Sequence, residues 1–209
     1  MITWFIYFHQ VPGPGGVLRS SLLVLLQFVC IFLHELGHLF AAKGFKIKTL
    51  ETTLYCMGGV ARLGRVPTNQ AQQLVIAMAG PLASSLIGIF FFVLAKTAYG
   101  PNSLVLVRDI PLLMSIAGAN MLLMFHNLAP AFPFDGGRLL QMILGTRIST
   151  TRAIEIPAWI GQLGGFLFAI IAFIFSPALF MNAFGIVCGA RQQAAIERLS
   201  LLTEGKVAS

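Results

Sequence analysis

Four apolar runs govern what this chain can become. They cover about Val17–Ala42, Leu74–Ala95, Ile110–Leu128 and Ala158–Phe175, and each approaches or exceeds the roughly 20 residues with which a helix crosses a bilayer. No soluble core could hide that much apolar surface: 57% of the 209 residues are hydrophobic and only 10% are charged, far from the balance of soluble domains. A fifth run, Ala178–Ala190, has 13 residues. It covers only about 20 Å of a hydrocarbon core about 30 Å thick, so it crosses only by extending into "RQQAAIERL". The expectation is an all-α polytopic membrane protein, a single domain over residues 1–209. Its roughly five transmembrane helices fall at 17–42, 74–95, 110–128, 158–175 and 178–195.

Charge bears on topology rather than on a polyanionic partner. The net charge is +7, but the basic residues stand singly beside apolar runs and form no aromatic-interleaved patch, so no nucleic-acid partner is expected. If all five runs cross, 11 of the 14 Lys and Arg residues share the side of Lys43, leaving Arg19, Lys96 and Arg108 opposite. With four crossings the split falls to 8 against 6. Cytoplasmic loops carry the excess of positive charge, which favours five crossings with the Lys43 end of the first span inside. Cys30, Cys56 and Cys188 share no disulfide or metal-site spacing and are read as core residues. The start, "MITWFIYFHQ", lacks the basic end and the length of a signal peptide.

Only seven acidic residues exist, and five lie in connections, span ends or the tail. The exceptions are Glu35, inside the first run in "FLHELGHLFA", and Asp135, in the broken stretch "NLAPAFPFDGGR". An acid at the centre of a membrane helix costs about 2.5–3.5 kcal/mol, and such residues mark function. A bound zinc ion, worth about 10–16 kcal/mol in small peptide sites, offsets two of them. His34 and His38 are four apart, so on a helix they share one face and offer two imidazoles to one cation. Glu35 is then placed to act on water rather than to bind metal, and a catalytic zinc takes a third protein ligand. Asp135 is the well-placed acidic candidate.

Two further stretches are informative. "LETTLYCMGGVARLGRV", residues 50–66, has the β-branched and aromatic content of a short hairpin or edge strand between the first two spans. After the third span, Pro130 and Pro133 break the helix. Irregular backbone at membrane depth is tolerated where it is buried in protein or lines a wet cavity, and hydrolysis inside a membrane needs such a cavity.

"HELGH" followed by "NLAPAFPFDGG" resembles the site-2 protease family of intramembrane zinc metalloproteases. "MGGVARL" is similar to that family's Gly-Gly-x-Ala element and "AMAGPLAS" to its Ala-Gly-Pro segment, so four motifs in order cover about residues 28–145. The resemblance implies one Zn2+ held by His34, His38 and Asp135, with Glu35 as general base. It implies that Asn127 positions substrate or stabilises the developing oxyanion, with Pro130 and Pro133 alongside. It also implies that Gly58 and Gly59 belong to an edge that pairs with the substrate backbone. The implied activity is hydrolysis of peptide bonds in membrane-tethered substrates, in a bacterial plasma membrane, with the site towards the cytoplasm. Two departures stand out: "MITWFIYF" looks like the remnant of a preceding helix, and Ser84 stands where the family often has Asn, which leaves a polar role there open. No PDZ or CBS domain is visible, as in the compact branch of the family that includes sporulation-factor processing proteases.

Rival readings are weaker. A metal transporter needs ionisable residues lining a path through several helices, and one compact cluster is visible. A proteolytically inactive relative that binds membrane proteins would not need the full set of cleavage residues, all of which are present. An HExxH protease with a downstream glutamate ligand would use Glu155 or Glu197, but neither has the surrounding motif. His9 and His126 are read as bystanders.

Overall fold

The computed structural model describes residues 14–47, 49–55, 58–63, 69–99, 112–175 and 177–203. Six helices and one hairpin account for them: α1 (Pro14–Gly44), β1 (Thr49–Tyr55), β2 (Gly58–Leu63), α2 (Gln70–Tyr99), α3 (Leu112–Asn127), α4 (Asp135–Gly145), α5 (Thr150–Phe175) and α6 (Pro177–Thr203). The "MITWFIYF" segment, His9, Cys56 and the start of the third expected span, residues 110–111, lie outside the described residues.

Helix ends follow from local chemistry. α1 begins at Pro14, whose fixed φ suits a first turn and whose missing N–H would have no helical partner there. It stops at Gly44, where the chain turns through Lys46 at φ 56°. The Ile47 N–H then closes the end by donating to the Ala42 carbonyl at 3.1 Å. α2 begins after Asn69, whose Oδ1 accepts from the Ala71 N–H at 2.8 Å, a side-chain N-cap. The hairpin pairs β1 with β2 antiparallel, Thr53 opposite Val60 and Tyr55 opposite Gly58, with an irregularity between Thr49 and Glu51.

Among the described residues, three helices are long and apolar enough to cross a membrane: Ser21–Gly44, Gln70–Ala98 and Thr150–Phe173. α3 has 16 residues, which rise about 24 Å. The fourth expected span begins eight residues earlier than its hydropathy suggested, at Thr150, with Pro157 taken inside the helix. The surface is the inverse of a soluble protein's. Phe40, Phe90, Phe166 and Phe173 point outward at 61–77% exposure, as befits an integral membrane protein whose solvent is lipid. Small residues fill the helix contacts, among them Ala42, Ala95, Ala153, Ala172, Ala183 and Ala190, because close backbone approach is what holds membrane helices together.

Three packed clusters organise the interior. Leu23, Cys30 and Ile116 join α1 to α3, with Ile87 and Phe91 of α2 against them. Ala42, Ile47 and Ile76 close the other end of the α1–α2 contact. Phe132, Ile154, Ala158, Ala190 and Ala194 seat the irregular 128–134 stretch on α5 and α6. Cys30 is buried as expected, whereas Cys188 is exposed. That core assignment is corrected: in a protein whose exterior is itself apolar, a small hydrophobic residue satisfies either side of a helix.

Candidate active site

Along α1, Cys30, His34 and His38 recur every four residues and form one row facing the bundle, and all three are buried. Opposite them on α2 runs a second row with the same spacing, Ile76, Gly80 and Ser84. The rows touch in two hydrogen bonds. His38 Nδ1–H donates to the Ile76 carbonyl at 2.7 Å, and His34 Nδ1 lies 2.9 Å from Ser84 Oγ, a hydroxyl able to accept from it or donate to it. The carbonyl fixes the His38 proton on Nδ1 and turns its Nε2 lone pair inward, and the Ser84 hydroxyl allows His34 the same tautomer.

Asp135 enters from the other half of the sequence. It is the first residue of α4, where the helix dipole favours a carboxylate. The stretch before it is pinned by Phe132, whose N–H donates to the Pro157 carbonyl at 3.0 Å and whose ring is fully buried. Gly136 completes the turn: a Cβ there would strike the Leu128 and Ala129 carbonyl oxygens, so only glycine lets the chain double back tightly enough to aim the carboxylate. Burial opposes ionisation of Asp135. The Arg138 guanidinium, three residues along α4, offsets part of that cost.

The three inward atoms form a small triangle. Asp135 Oδ2 is 3.1 Å from His34 Nε2 and 3.2 Å from His38 Nε2, and the two Nε2 atoms are 3.3 Å apart. With His38 Nδ1–H on a carbonyl and Ser84 able to accept from His34 Nδ1–H, all three inward atoms can serve as acceptors, a set able to hold a cation between them. The spacing suits zinc. Zn–N and Zn–O bonds of about 2.0–2.2 Å at tetrahedral angles set ligand atoms about 3.3–3.5 Å apart, leaving one corner open for water or substrate.

Gly80 makes room for this. A Cβ at that position would lie 2.6 Å from His34 Nε2 and closer still to His38 Nε2, so the space beside the ligand atoms exists because residue 80 has no side chain. Glu35 follows His34 on α1 and is partly buried. Asn127 ends α3 and donates from Nδ2 to the Leu123 carbonyl at 3.0 Å. Pro130 and Pro133 are exposed on the stretch leading to Asp135, and Gly58 and Gly59 pair with Tyr55 and Leu54 across the hairpin. His126 packs edge-on against Phe134, ring centroids 4.3 Å apart. Sequence reasoning missed Gly80 altogether and left Ser84 open. The signal for both was "AMAGPLAS", whose Gly and Ser fall four apart and so share one helix face.

Fold and site together define a class: a helical membrane protein that gathers two histidines and one aspartate into a candidate metal site. Comparison with known proteins agrees. The pattern of peptidase family M50 matches residues 22–107. The zinc metalloprotease MJ0392 of Methanocaldococcus jannaschii is 34% identical over 164 residues, 77% of this chain and 46% of the relative. Rip3 of Mycobacterium tuberculosis is 33% identical over 141 residues, 66% of this chain and 33% of the relative. The site-2 protease structure from Methanocaldococcus jannaschii superposes with a TM-score of 0.68 at 29% identity, covering 92% of this chain and 88% of the other. The chain thus spans less than half the length of these curated relatives. It belongs to peptidase family M50, the site-2 protease family of zinc metalloproteases.

Proposed function

We propose that this protein is an intramembrane zinc metalloprotease that hydrolyses peptide bonds in or near the transmembrane segments of membrane-tethered substrates. The observation that carries the reading is the triangle of three acceptor atoms, 3.1–3.3 Å on a side, on apolar helices that match a site-2 protease. His34, His38 and Asp135 hold the metal. Zinc, when bound there, supplies Lewis-acid polarisation of the scissile carbonyl and eases deprotonation of the attacking water.

The remaining work falls to the chain. Ser84 and the Ile76 carbonyl keep the two imidazoles in the ligand tautomer. The Glu35 carboxylate takes the proton of the attacking water and returns it to the leaving amine nitrogen. Asn127, with its amide at the end of α3, steadies the substrate carbonyl as negative charge develops on it, and Pro130 and Pro133 shape the wall beside it. A helical substrate hides its carbonyls, so it must be unwound before attack. In a two-stranded sheet each strand has an outer edge, and the strand bearing Gly58 and Gly59 offers one to an extended substrate.

Five crossings in a bacterial plasma membrane, with the Lys43 end of α1 and the site towards the cytoplasm, best accommodate the basic residues. Substrates of this kind include tethered transcriptional regulators and residual signal peptides. The test is co-expression of candidate tethered substrates with wild type, Glu35→Gln and Asp135→Asn. Glu35→Gln is expected to bind zinc but not cut, and Asp135→Asn to lose both. Unchanged cleavage by Glu35→Gln sinks the mechanism, and full zinc content in Asp135→Asn removes Asp135 from the ligand set.

A further inference from the structure

A second polar feature lies away from the metal ligands. Where the first half of α5 meets the second half of α6, a cleft of about 480 Å³ opens between Glu155, Trp159 and Gln162 on one helix and Arg191, Ala195 and Arg198 on the other, well within the size range of ligand sites. Arg198 Nη2 donates to Glu155 Oε1 at 2.6 Å. Arg191 Nε donates to Gln162 Oε1 at 2.8 Å, leaving its two η nitrogens with no partner among the described residues. Arg152 is exposed one turn before Glu155 on the same stripe of α5. Two guanidiniums and one carboxylate thus line the cleft, with Arg152 nearby on α5, and its lining keeps a net positive charge.

Its depth in the bilayer can be read from the residues around it. On α5 the outward face is continuously apolar from Trp159 onward through Leu163, Phe166, Leu167 and Ile170. On α6 the apolar run ends at Ala190, directly before Arg191. The cleft therefore straddles the boundary between hydrocarbon and headgroups. Trp159, 68% exposed, sits where aromatic belts lie, with arginine side chains long enough to reach the interface.

We propose that this cleft seats the phosphate of an anionic phospholipid, held by the free η nitrogens of Arg191 and by Arg198, with the acyl chains along the α5 face beyond Trp159. A basic cleft between membrane helices on the positively charged side of the protein is the setting in which anionic headgroups bind. Planar guanidiniums, unlike ammonium groups, grip phosphate through paired donors. The alanines beneath the cleft, Ala158 and Ala194, belong to the same cluster as Phe132, so an occupied cleft also steadies the support of the Asp135 stretch. The inference does not depend on the proteolytic reading.

The experiment uses the full chain in neutral detergent with phosphatidylglycerol or phosphatidylcholine titrated in, occupancy being read by native mass spectrometry. Each basic residue near a headgroup contributes about fivefold, so the two arginines give an expected preference for phosphatidylglycerol of about 25-fold. Arg191→Gln should cut it about fivefold, and Arg191→Gln with Arg198→Gln should bring the two lipids near parity. Lys43→Gln, which removes the same charge at the end of α1, should leave it within twofold. A monodisperse elution profile and a far-UV circular dichroism spectrum matching wild type serve as the check that each variant is folded. A preference that survives the double variant, or falls equally in Lys43→Gln, overturns the site. Displacement of the lipid by millimolar inorganic phosphate overturns the lipid as its occupant.

Discussion

Replacing Gly80 with alanine separates the demands of the helix from those of the site. Gly80 lies in the interior of α2, where glycine costs a helix about 0.8–1.0 kcal/mol relative to alanine, so Gly80→Ala should stabilise α2 if only local propensity counted. The added Cβ would lie 2.6 Å from His34 Nε2 and closer to His38 Nε2, whereas ordinary contact begins near 3.4 Å. His34 must therefore retreat by about 0.8 Å, and His38 by more. A working metal site tolerates about 0.2 Å in its ligand distances. Disturbing the partner of a single ligand already costs 10–100-fold in affinity, so shifting two ligands at once should cost at least 100-fold. The assay is zinc per chain after purification, with affinity from competition against a chromogenic chelator. Gly118→Ala is the control, since a Cβ there meets nothing within 4 Å. Gly80→Ala protein that unfolds no earlier than wild type yet carries little zinc is the expected result. Stoichiometric zinc with affinity within threefold of wild type would refute the reasoning.

Other substitutions probe other links. Ser84→Ala removes the acceptor of His34 Nδ1–H without touching a ligand and should weaken zinc binding 10–100-fold, measured by the same competition. Phe132→Ala empties the centre of the cluster on α5 and α6 and should cost about 3–5 kcal/mol, read from thermal or denaturant unfolding in detergent. Val60→Pro removes a backbone donor from β2, so processing of a tethered substrate should fall sharply while zinc content stays that of wild type. If processing persists, the hairpin edge is not where substrate pairs.

How much of this the sequence revealed depended on distance along the chain. The facing of His34 and His38 was legible because a separation of four on a helix fixes it. Asp135 was legible because an acid beside an apolar run stands out energetically. Ser84 and Gly80 were not, because their meaning lies in contacts across more than 40 residues: His34 to Ser84 spans 50 positions. The early start of α5 was hidden by Pro157, which reads locally as a breaker. In the structure it sits buried inside the helix, and its carbonyl receives the Phe132 N–H. Cys188 shows a limit peculiar to membrane proteins, since hydropathy cannot separate a side chain facing a neighbouring helix from one facing lipid.

The three residues proposed to hold the metal come from opposite ends of the architecture, two from α1 and one from the start of α4. Apart from the 128–134 stretch, the main helix packing that joins α1–α3 to α4–α6 is α2 against α4. An ion bound at His34, His38 and Asp135 is therefore a clasp as well as a reagent. It links two helical halves across 96 intervening residues of sequence. Since metal binding at a site absent from the unfolded chain is folding free energy, chelation should loosen the seam between the halves before it melts either one. Protease cleavage near residues 128–134 would be the first sign.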